Sequence, residues 1–385
     1  MKIAVIGPIH PFVGGISHYN TELCKSLSTN HELVVISYKR RYPMFLYPGK
    51  NQIDKKCSRK SEISNVEYIL DTVNPITWIK AVSRIKKENP NLLIFHWVTP
   101  FMTPMFVTVF FLLKKLTRIQ ILAICHNVLP HERTSLDVFL TKLVFRNVDY
   151  FIVHSRKDFT NLKKIVTRPT RRVLFPLYHM FKVSNISKNH AKEIINLTKN
   201  DKVILFFGYI REYKGLIYLI QAMPKVLIRI PTAKLLVVGE FWDNKERYLA
   251  EIENLNIKNA VILIDKYVHN DQVELYFSAA DVVVLPYISA TQSAVVQTAY
   301  YFNKPVITTR VGGLPDIVTD KKTGLIVEPK DSEMLAEAIS EYLEQTIGKK
   351  MGRIIHRTKW KFSWERLVKT IEKLGENNES RDDYS

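Results

Sequence analysis

The chain has little cysteine: three in 385 residues, Cys24, Cys57 and Cys125, odd in number and far apart. That excludes a disulfide framework and any cysteine-based metal knuckle, and it predicts a reduced, cytosolic setting. Long apolar runs are also missing. The most membrane-like stretch, Phe101–Leu113, stops at Lys114 and Lys115, well short of the ~20 residues needed to span a bilayer. A buried helix is expected there in preference to an interfacial one. The opening MKIAVIGPIH breaks at a Gly-Pro turn, too early for a secretory signal. Acidic residues are scarce, 37 against 56 Lys and Arg, for a formal net charge of +19. No zinc knuckle or base-reading basic helix accompanies that charge, so nucleic acid is not expected as a partner. No βα loop carries Asp-x-Asp, and no metal or other cofactor is expected. The first strand leads into Gly-Pro-Ile-His-Pro, not Gly-x-Gly-x-x-Gly, which disfavours a dinucleotide dehydrogenase.

Hydrophobic residues make up 46% of the chain and charged residues 24%, the balance of a globular protein whose length suggests two domains. The basic clusters (Lys39–Arg41, Lys55–Lys60, Lys114–Arg118, Lys163–Lys164, Arg168–Arg172) all lie in the first half. An anionic membrane surface bearing the substrate fits that asymmetry, and a plain solvated basic face is the competing explanation. Short apolar runs alternate with helical spacing throughout. In the first half, strands are expected at Lys2–Ile6, Glu32–Ser37, Val66–Leu70, Leu92–Phe95, Gln120–Cys125, Asp149–Val153 and Arg172–Leu174. Ser17 is expected to cap the first helix, Pro75–Lys87 to form another, and Tyr38–Asn65 to be an irregular insertion. A polar break at Val183–Lys192 reads as a linker. The alternation restarts with strands at Val203–Phe207, Lys234–Val238, Ala260–Leu263, Val282–Leu285, Val306–Thr308 and Leu325–Val327, and helices at Ser332–Leu343 and Glu365–Leu374. The pattern predicts two doubly wound parallel sheets. The expected domains are 1–185 and 195–355, then a terminal helical segment 356–375 and a polar tail 376–385.

The segment VILFFGYIREYKG, Val203–Gly215, carries the most chemistry. A buried strand runs into Gly208, Arg211, Lys214 and Gly215, and then into helical spacing from Leu216. Two cations beside a helix N-terminus suit an anion, most naturally a phosphate. An exposed turn with ordinary surface cations is the bland alternative.

GPIHPFVGGISHYNTEL (Gly7–Leu23) resembles the N-terminal glycine loop and first helix of retaining GT-B glycosyltransferases of the family 4, or group 1, type. FFGYIREYKGLIYLIQA (Phe206–Ala222) resembles their donor phosphate segment, and ICHNVLPHE (Ile124–Glu132) their acceptor-side histidine loop. DVVVLPY (Asp281–Tyr287) and KPVITTRVGGLPDIVTDKKTGLIVEP (Lys304–Pro329) are similar to the rest of their donor domain. The resemblance implies an α/β GT-B fold: two Rossmann-like domains, an interdomain cleft, and a C-terminal helix crossing back to the first domain. It departs from the family at the usual glutamate pair spaced eight residues apart. Aligned on Pro305, those positions are Ala290 and Thr298, in a Thr-Gln-Ser type of loop.

What the resemblance implies is a transfer of a hexose from a UDP- or GDP-sugar to a glycan or lipid-linked acceptor, with retention and without metal, in the assembly of surface polysaccharide or glycoconjugate. Catalytic roles fall to His126, Arg211 and Lys214. Donor contacts fall to Gly14, Gly15, Gly208, Arg211, Lys214, Gly239, Glu240, Lys266, Tyr267, Val268, Gln292, Ser293, Ala294 and Thr298. His96, Trp97 and His131 lie on the acceptor side, with His10 and His18 as lesser candidates, and Asp316 would cap a helix. The expected location is cytoplasmic, peripheral at the inner membrane face. A nucleotide-sugar epimerase or phosphorylase and a non-catalytic partner subunit are the rival readings. Product analysis without acceptor separates the first, and nucleoside diphosphate binding the second.

Overall fold

The computed structural model describes residues 1–43, 52–53, 63, 65–129, 134–178, 184–345 and 347–376. The chain divides into two compact units, one of 1–174 with 363–385 and one of 175–362.

The first unit opens with β1 (Lys2–Ile6), α1 (Gly15–Ser28), β2 (Glu32–Arg40), β3 (Val66–Asp71), α2 (Pro75–Glu88) and β4 (Leu92–Trp97). It continues with α3 (Thr103–Leu116), β5 (Gln120–Cys125), α4 (Ser135–Phe145), β6 (Tyr150–Val153), α5 (Arg156–Lys163) and β7 (Thr170–Arg172). These strands pair in parallel in the order β3-β2-β1-β4-β5-β6-β7. The order reverses between β1 and β4, which makes the end of that strand pair the ligand-binding position of such a sheet. β1 and β4 are apolar along nearly their whole length because both faces of the sheet are covered.

The second unit runs α6 (Lys188–Ile194), β8 (Lys202–Phe207), α7 (Leu216–Arg229), β9 (Ala233–Val238), α8 (Lys245–Asn254), β10 (Val261–Ile264), α9 (Val273–Ala279) and β11 (Val282–Leu285). Then come α10 (Ala294–Tyr301), β12 (Val306–Thr309), α11 (Leu314–Ile317), β13 (Gly324–Val327), α12 (Ser332–Glu344) and α13 (Ile347–Thr358). Its sheet is parallel, in the order β10-β9-β8-β11-β12-β13, and reverses between β8 and β11. The last helix, α14 (Trp364–Glu376), belongs to the first unit, where Trp364 packs edge-on against Tyr19 of α1 with ring centroids 5.0 Å apart.

Several expectations need correction. The first helix starts at Gly15 with Gly14 as its cap, and Ser17 sits inside its first turn, buried. The polar break expected as a linker instead holds α6, capped by Ser187, because Ala191 and Lys192 give it a buried side. The Phe101–Leu113 stretch is helical from Thr103, but only one face is buried: Met105, Phe106, Val109, Phe110 and Leu113 are inside and Phe111 is exposed. β2 extends to Arg40, into the expected insertion, most of whose remainder lies outside the described residues. Asp316 lies in the first turn of α11, whose cap is Gly313.

Candidate functional site

At the reversal of the second sheet, β8 ends in Gly208 and a 3₁₀ turn, Glu212–Lys214, leads into α7 through Gly215. Lys214 folds back over this strand end and is 92% buried. A methyl group at Gly208 would stand 3.1 Å from its Nζ, and Gly208 has φ +100°, a conformation that favours glycine. The same ammonium lies 5.9 Å from the ring centre of Tyr287, just past β11. Lys214 therefore occupies the point between β8 and β11 where the sheet's topology places a ligand. Burial, and then the nearby charge of Arg211, push its pKa down to about 7. Among the described residues neither Lys214 nor Arg211 has a carboxylate partner. Arg211 is exposed and stacks near Tyr213 and Trp242, at 5.2 and 5.9 Å from their ring centres. A buried, unpaired ammonium is costly. An anion bound beside it would remove that cost.

The loop that departs from the family pattern leads into α10. Ser293 caps α10 without a side-chain bond to its backbone, and its hydroxyl lies 3.4 Å from the Tyr287 hydroxyl. Ala294 is the first residue of that helix. The hydroxyl of Thr298 donates to the Ala294 carbonyl, so its proton is committed within the helix. Among the described residues, the amide oxygen and nitrogen of Gln292 are buried without partners, and so are those of Gln297, which is fully inaccessible. Nothing in the sequence singled out Gln297; its signal is a polar residue on an otherwise buried helix face. Gly239 and Glu240 follow β9, and Lys266, Tyr267 and Val268 follow β10. Tyr209, Trp242 and Tyr267 form an aromatic group across these strand ends, with centroids 4.1 Å apart for Tyr209–Trp242 and 6.3 Å for Tyr209–Tyr267.

The first unit has its own polar cluster at the β1/β4 reversal. His96 Nδ1 lies 3.0 Å from His126 Nε2, and His96 Nε2 lies 2.8 Å from Asn20 Oδ1. His154, after β6, bonds the Val173 carbonyl at 2.8 Å. Tyr19 packs edge-on against both His96 and His126. All three histidines are buried. Burial first, and then neighbouring positive groups, bring His96 down to about 3 and hold His126 well below its ordinary value. Burial brings His154 down to about 4, against the Val173 hydrogen bond, which favours its charged form. His126 is therefore neutral at pH 7 and suits an orienting role better than that of an acid. His154, Asn20 and Tyr19 were not singled out from sequence; helix α1 and the strand ends assemble them from distant positions. Gly14 has φ +105° and open space where a side chain would project, and Gly15 is the first residue of α1. Trp97 corrects an expectation. It points to the face opposite His96, packs against Phe106 and Phe145, and donates to the Val128 carbonyl, so it fills the core and walls no acceptor site. His10 donates its backbone N–H to Thr21, and His18 lies on α1. His131 lies outside the described residues.

Residues 187–361 match the family model described as glycosyl transferases group 1. Over 190 residues the chain is 27% identical to a D-inositol 3-phosphate glycosyltransferase of Corynebacterium diphtheriae, a match covering 48% of this chain and 44% of that one. The chain spans less than half the length of that protein and of others like it. It is 22% identical, over 97% of both chains, to an N-acetyl-alpha-D-glucosaminyl L-malate synthase of Bacillus anthracis. Among solved structures it is similar to Anabaena HepE in complex with UDP-glucose, with a TM-score of 0.74 at 17% identity, covering 97% of this chain and 98% of that one. The chain thus has the GT-B fold, and residues 187–361 match the glycosyl transferases group 1 model.

Proposed function

We propose that the protein is a retaining glycosyltransferase that moves a hexose from a UDP- or GDP-sugar to a glycan or lipid-linked acceptor in surface polysaccharide or glycoconjugate synthesis. The observation that carries this reading is Lys214: a buried cation without a carboxylate partner among the described residues, beside Arg211, at the topological switch of the segment that matches the group 1 model. The anomeric carbon–oxygen bond to the diphosphate breaks and a bond to the acceptor oxygen forms on the same face. The acceptor's proton passes to the departing diphosphate. Arg211 and Lys214 stabilise the charge gained by that leaving group, Arg211 able to clamp two oxygens and Lys214 acting as a point charge. Gly208, Gly239, Glu240, Lys266, Tyr267 and Val268 hold the nucleotide, and Gln292, Ser293, Ala294 and Thr298 the region served elsewhere by two glutamates. His126 orients the sugar, and His96 supports it from the acceptor side.

The two cations take the charge-neutralising role that a metal would otherwise have. Among the described residues no His, Cys, Asp and Glu group of three is placed to hold a metal. Full turnover in excess chelator is expected; abolition by chelator with rescue by magnesium would overturn the metal-independent reading.

For the acceptor, the basic first unit is proposed to face an anionic membrane. No described helix is long and apolar enough to cross one. On three successive helices Ile76, Ile79, Phe111, Leu116, Leu136 and Phe139 are exposed, with exposed Lys80, Lys115 and Lys142 on the same helices. Apolar groups interspersed with cations suit a headgroup boundary. A nucleotide-sugar panel tests the central reading. Calorimetric binding of at least one UDP- or GDP-sugar and transfer with retained anomeric configuration are expected. Inversion, or binding of none, refutes it.

A further inference from the structure

We propose that Asn20 and His96 form a tautomer lock on His126, so that the imidazole Nδ1 of His126 presents a lone pair and only accepts hydrogen bonds. The chain of reasoning starts at Pro8, whose carbonyl can only accept. Asn20 lies 3.1 Å from it through Nδ2, which fixes the amide's orientation. Asn20 Oδ1 therefore faces His96 Nε2, so that nitrogen is the protonated one. A neutral His96 then has a bare Nδ1. The 3.0 Å contact from His126 Nε2 to that nitrogen requires a proton on His126 Nε2. A neutral imidazole carries a single N–H, so His126 Nδ1 is left as an acceptor.

The surroundings hold this arrangement. Cys24 Sγ approaches the same Asn20 oxygen at 3.6 Å, which again requires an acceptor there. Gly7 passes so close that a methyl group on it would stand 2.6 Å from the His96 ring and 2.7 Å from Asn20 Nδ2. The pair has room only because residue 7 is a glycine. Burial keeps all three histidines of the cluster neutral at pH 7, which the single-proton argument needs. No other titratable side chain bonds the His96–Asn20 pair among the described residues.

The consequence deepens the glycosyltransferase reading and rests on it. An acceptor-only nitrogen takes a hydrogen bond from a sugar hydroxyl and repels a phosphate oxygen. A group brought to this nitrogen would have to donate a hydrogen bond, as a hydroxyl does and an ionised phosphate does not. Asn20 and His96 act through His126 and are positioning residues.

The test is a ¹⁵N-resolved imidazole spectrum of the full chain at pH 7, without ligand. His126 is expected to show a protonated Nε2 and an unprotonated Nδ1. Observation of the Nδ1–H form in the wild-type protein overturns the lock, whatever the activity. Asn20→Leu removes the acceptor for His96, and a mixture of His126 tautomers is expected, with kcat lowered at least tenfold and donor KM within about threefold. Unchanged tautomers in a folded Asn20→Leu protein also overturn it. The spectrum needs no substrate. A correct tautomer together with no transfer from any nucleotide-sugar would therefore sustain the lock and refute the glycosyltransferase reading instead.

Discussion

If the diphosphate binds beside Lys214 as proposed, the buried amine makes that binding a proton-uptake reaction. In the free protein its pKa is pushed down to about 7. Beside two phosphates it should return towards the ordinary lysine value of ~10.4. At pH 8 only about one-tenth of the free protein carries that proton, so binding should take up ~0.9 proton. At pH 6 about nine-tenths already carry it, and uptake should fall to ~0.1. Linkage then fixes the direction. Affinity is highest below pH 7 and falls as pH rises, by about tenfold between pH 6 and pH 8 and about tenfold more by pH 9, roughly 1.4 kcal/mol for each tenfold. A nucleotide-sugar is the right probe, because its diphosphate diester does not itself titrate near neutrality. Titration calorimetry in buffers of different ionisation enthalpy reads the uptake directly. Arg211 contributes to the depression of Lys214, so Arg211→Gln should move the onset of the pH dependence upward as well as weaken binding. Zero uptake at pH 8, or the same uptake in Lys214→Met, would refute the role assigned to Lys214.

Lys214→Met should lower turnover by ~10²–10³, the scale of losing one charge-stabilising contact, while raising thermal stability, since it removes an unpaired buried charge; a fall in Tm would show that the lysine is structurally satisfied. Gln297→Leu should stabilise the ligand-free protein by about 1–3 kcal/mol, because two unmet amide groups disappear, and chemical denaturation with and without nucleotide-sugar shows whether a ligand normally satisfies them. The histidine cluster should make the first unit acid-sensitive. Each of the three is neutral when folded and charges readily when unfolded, so the unfolded state binds more protons below pH 6.5 and stability is lost as pH falls from there towards the folded values. The loss is roughly 2–3 kcal/mol each for His96 and His154 by pH 4.5, His126 adds to it in the same direction, and the slope of stability against pH should flatten in His154→Gln.

Periodicity made the sheets legible. Strands such as Lys2–Ile6, Gln120–Cys125 and Val282–Leu285 stand where short apolar runs placed them, because a strand covered on both faces must be apolar throughout. Helix starts were harder. Ser17 has the chemistry of a cap, yet Gly14 takes the position, since φ +105° there is open to glycine. The polar composition around Lys188 hid a helix whose buried side is only Ala191 and Lys192. Arg211 and Lys214 were legible because strand, turn and helix follow one another locally. The burial of Lys214 was not, because it depends on Tyr287 across the sheet. His154, Asn20 and Gln297 were illegible for the same reason: each gains its meaning from a partner, or from the lack of one, remote in sequence.

The two polar clusters differ in a way that assigns them different tasks. In the first unit the buried groups satisfy one another: Asn20 is bonded at both ends of its amide, and His96 at both nitrogens. Such a network costs little to keep and presents a fixed pattern, which suits discrimination among neutral hydroxyls. In the second unit, among the described residues, Lys214 lacks a counter-charge and the amides of Gln292 and Gln297 lack partners. Folding alone does not reward that arrangement, since each unmet group costs about 1–3 kcal/mol. It becomes favourable only when something anionic and rich in hydrogen-bonding groups arrives. A nucleotide-sugar is the proposed ligand: its diphosphate would answer Lys214, and its hydroxyls, donors and acceptors at once, would answer the Gln292 amide, while Gln297 is shut off from any ligand in this conformation. Neutral glutamines also fit the absence of carboxylates at Ala290 and Thr298. With no carboxylate at Ala290 or Thr298, neither position offers Lys214 an anion that would compete with the phosphate.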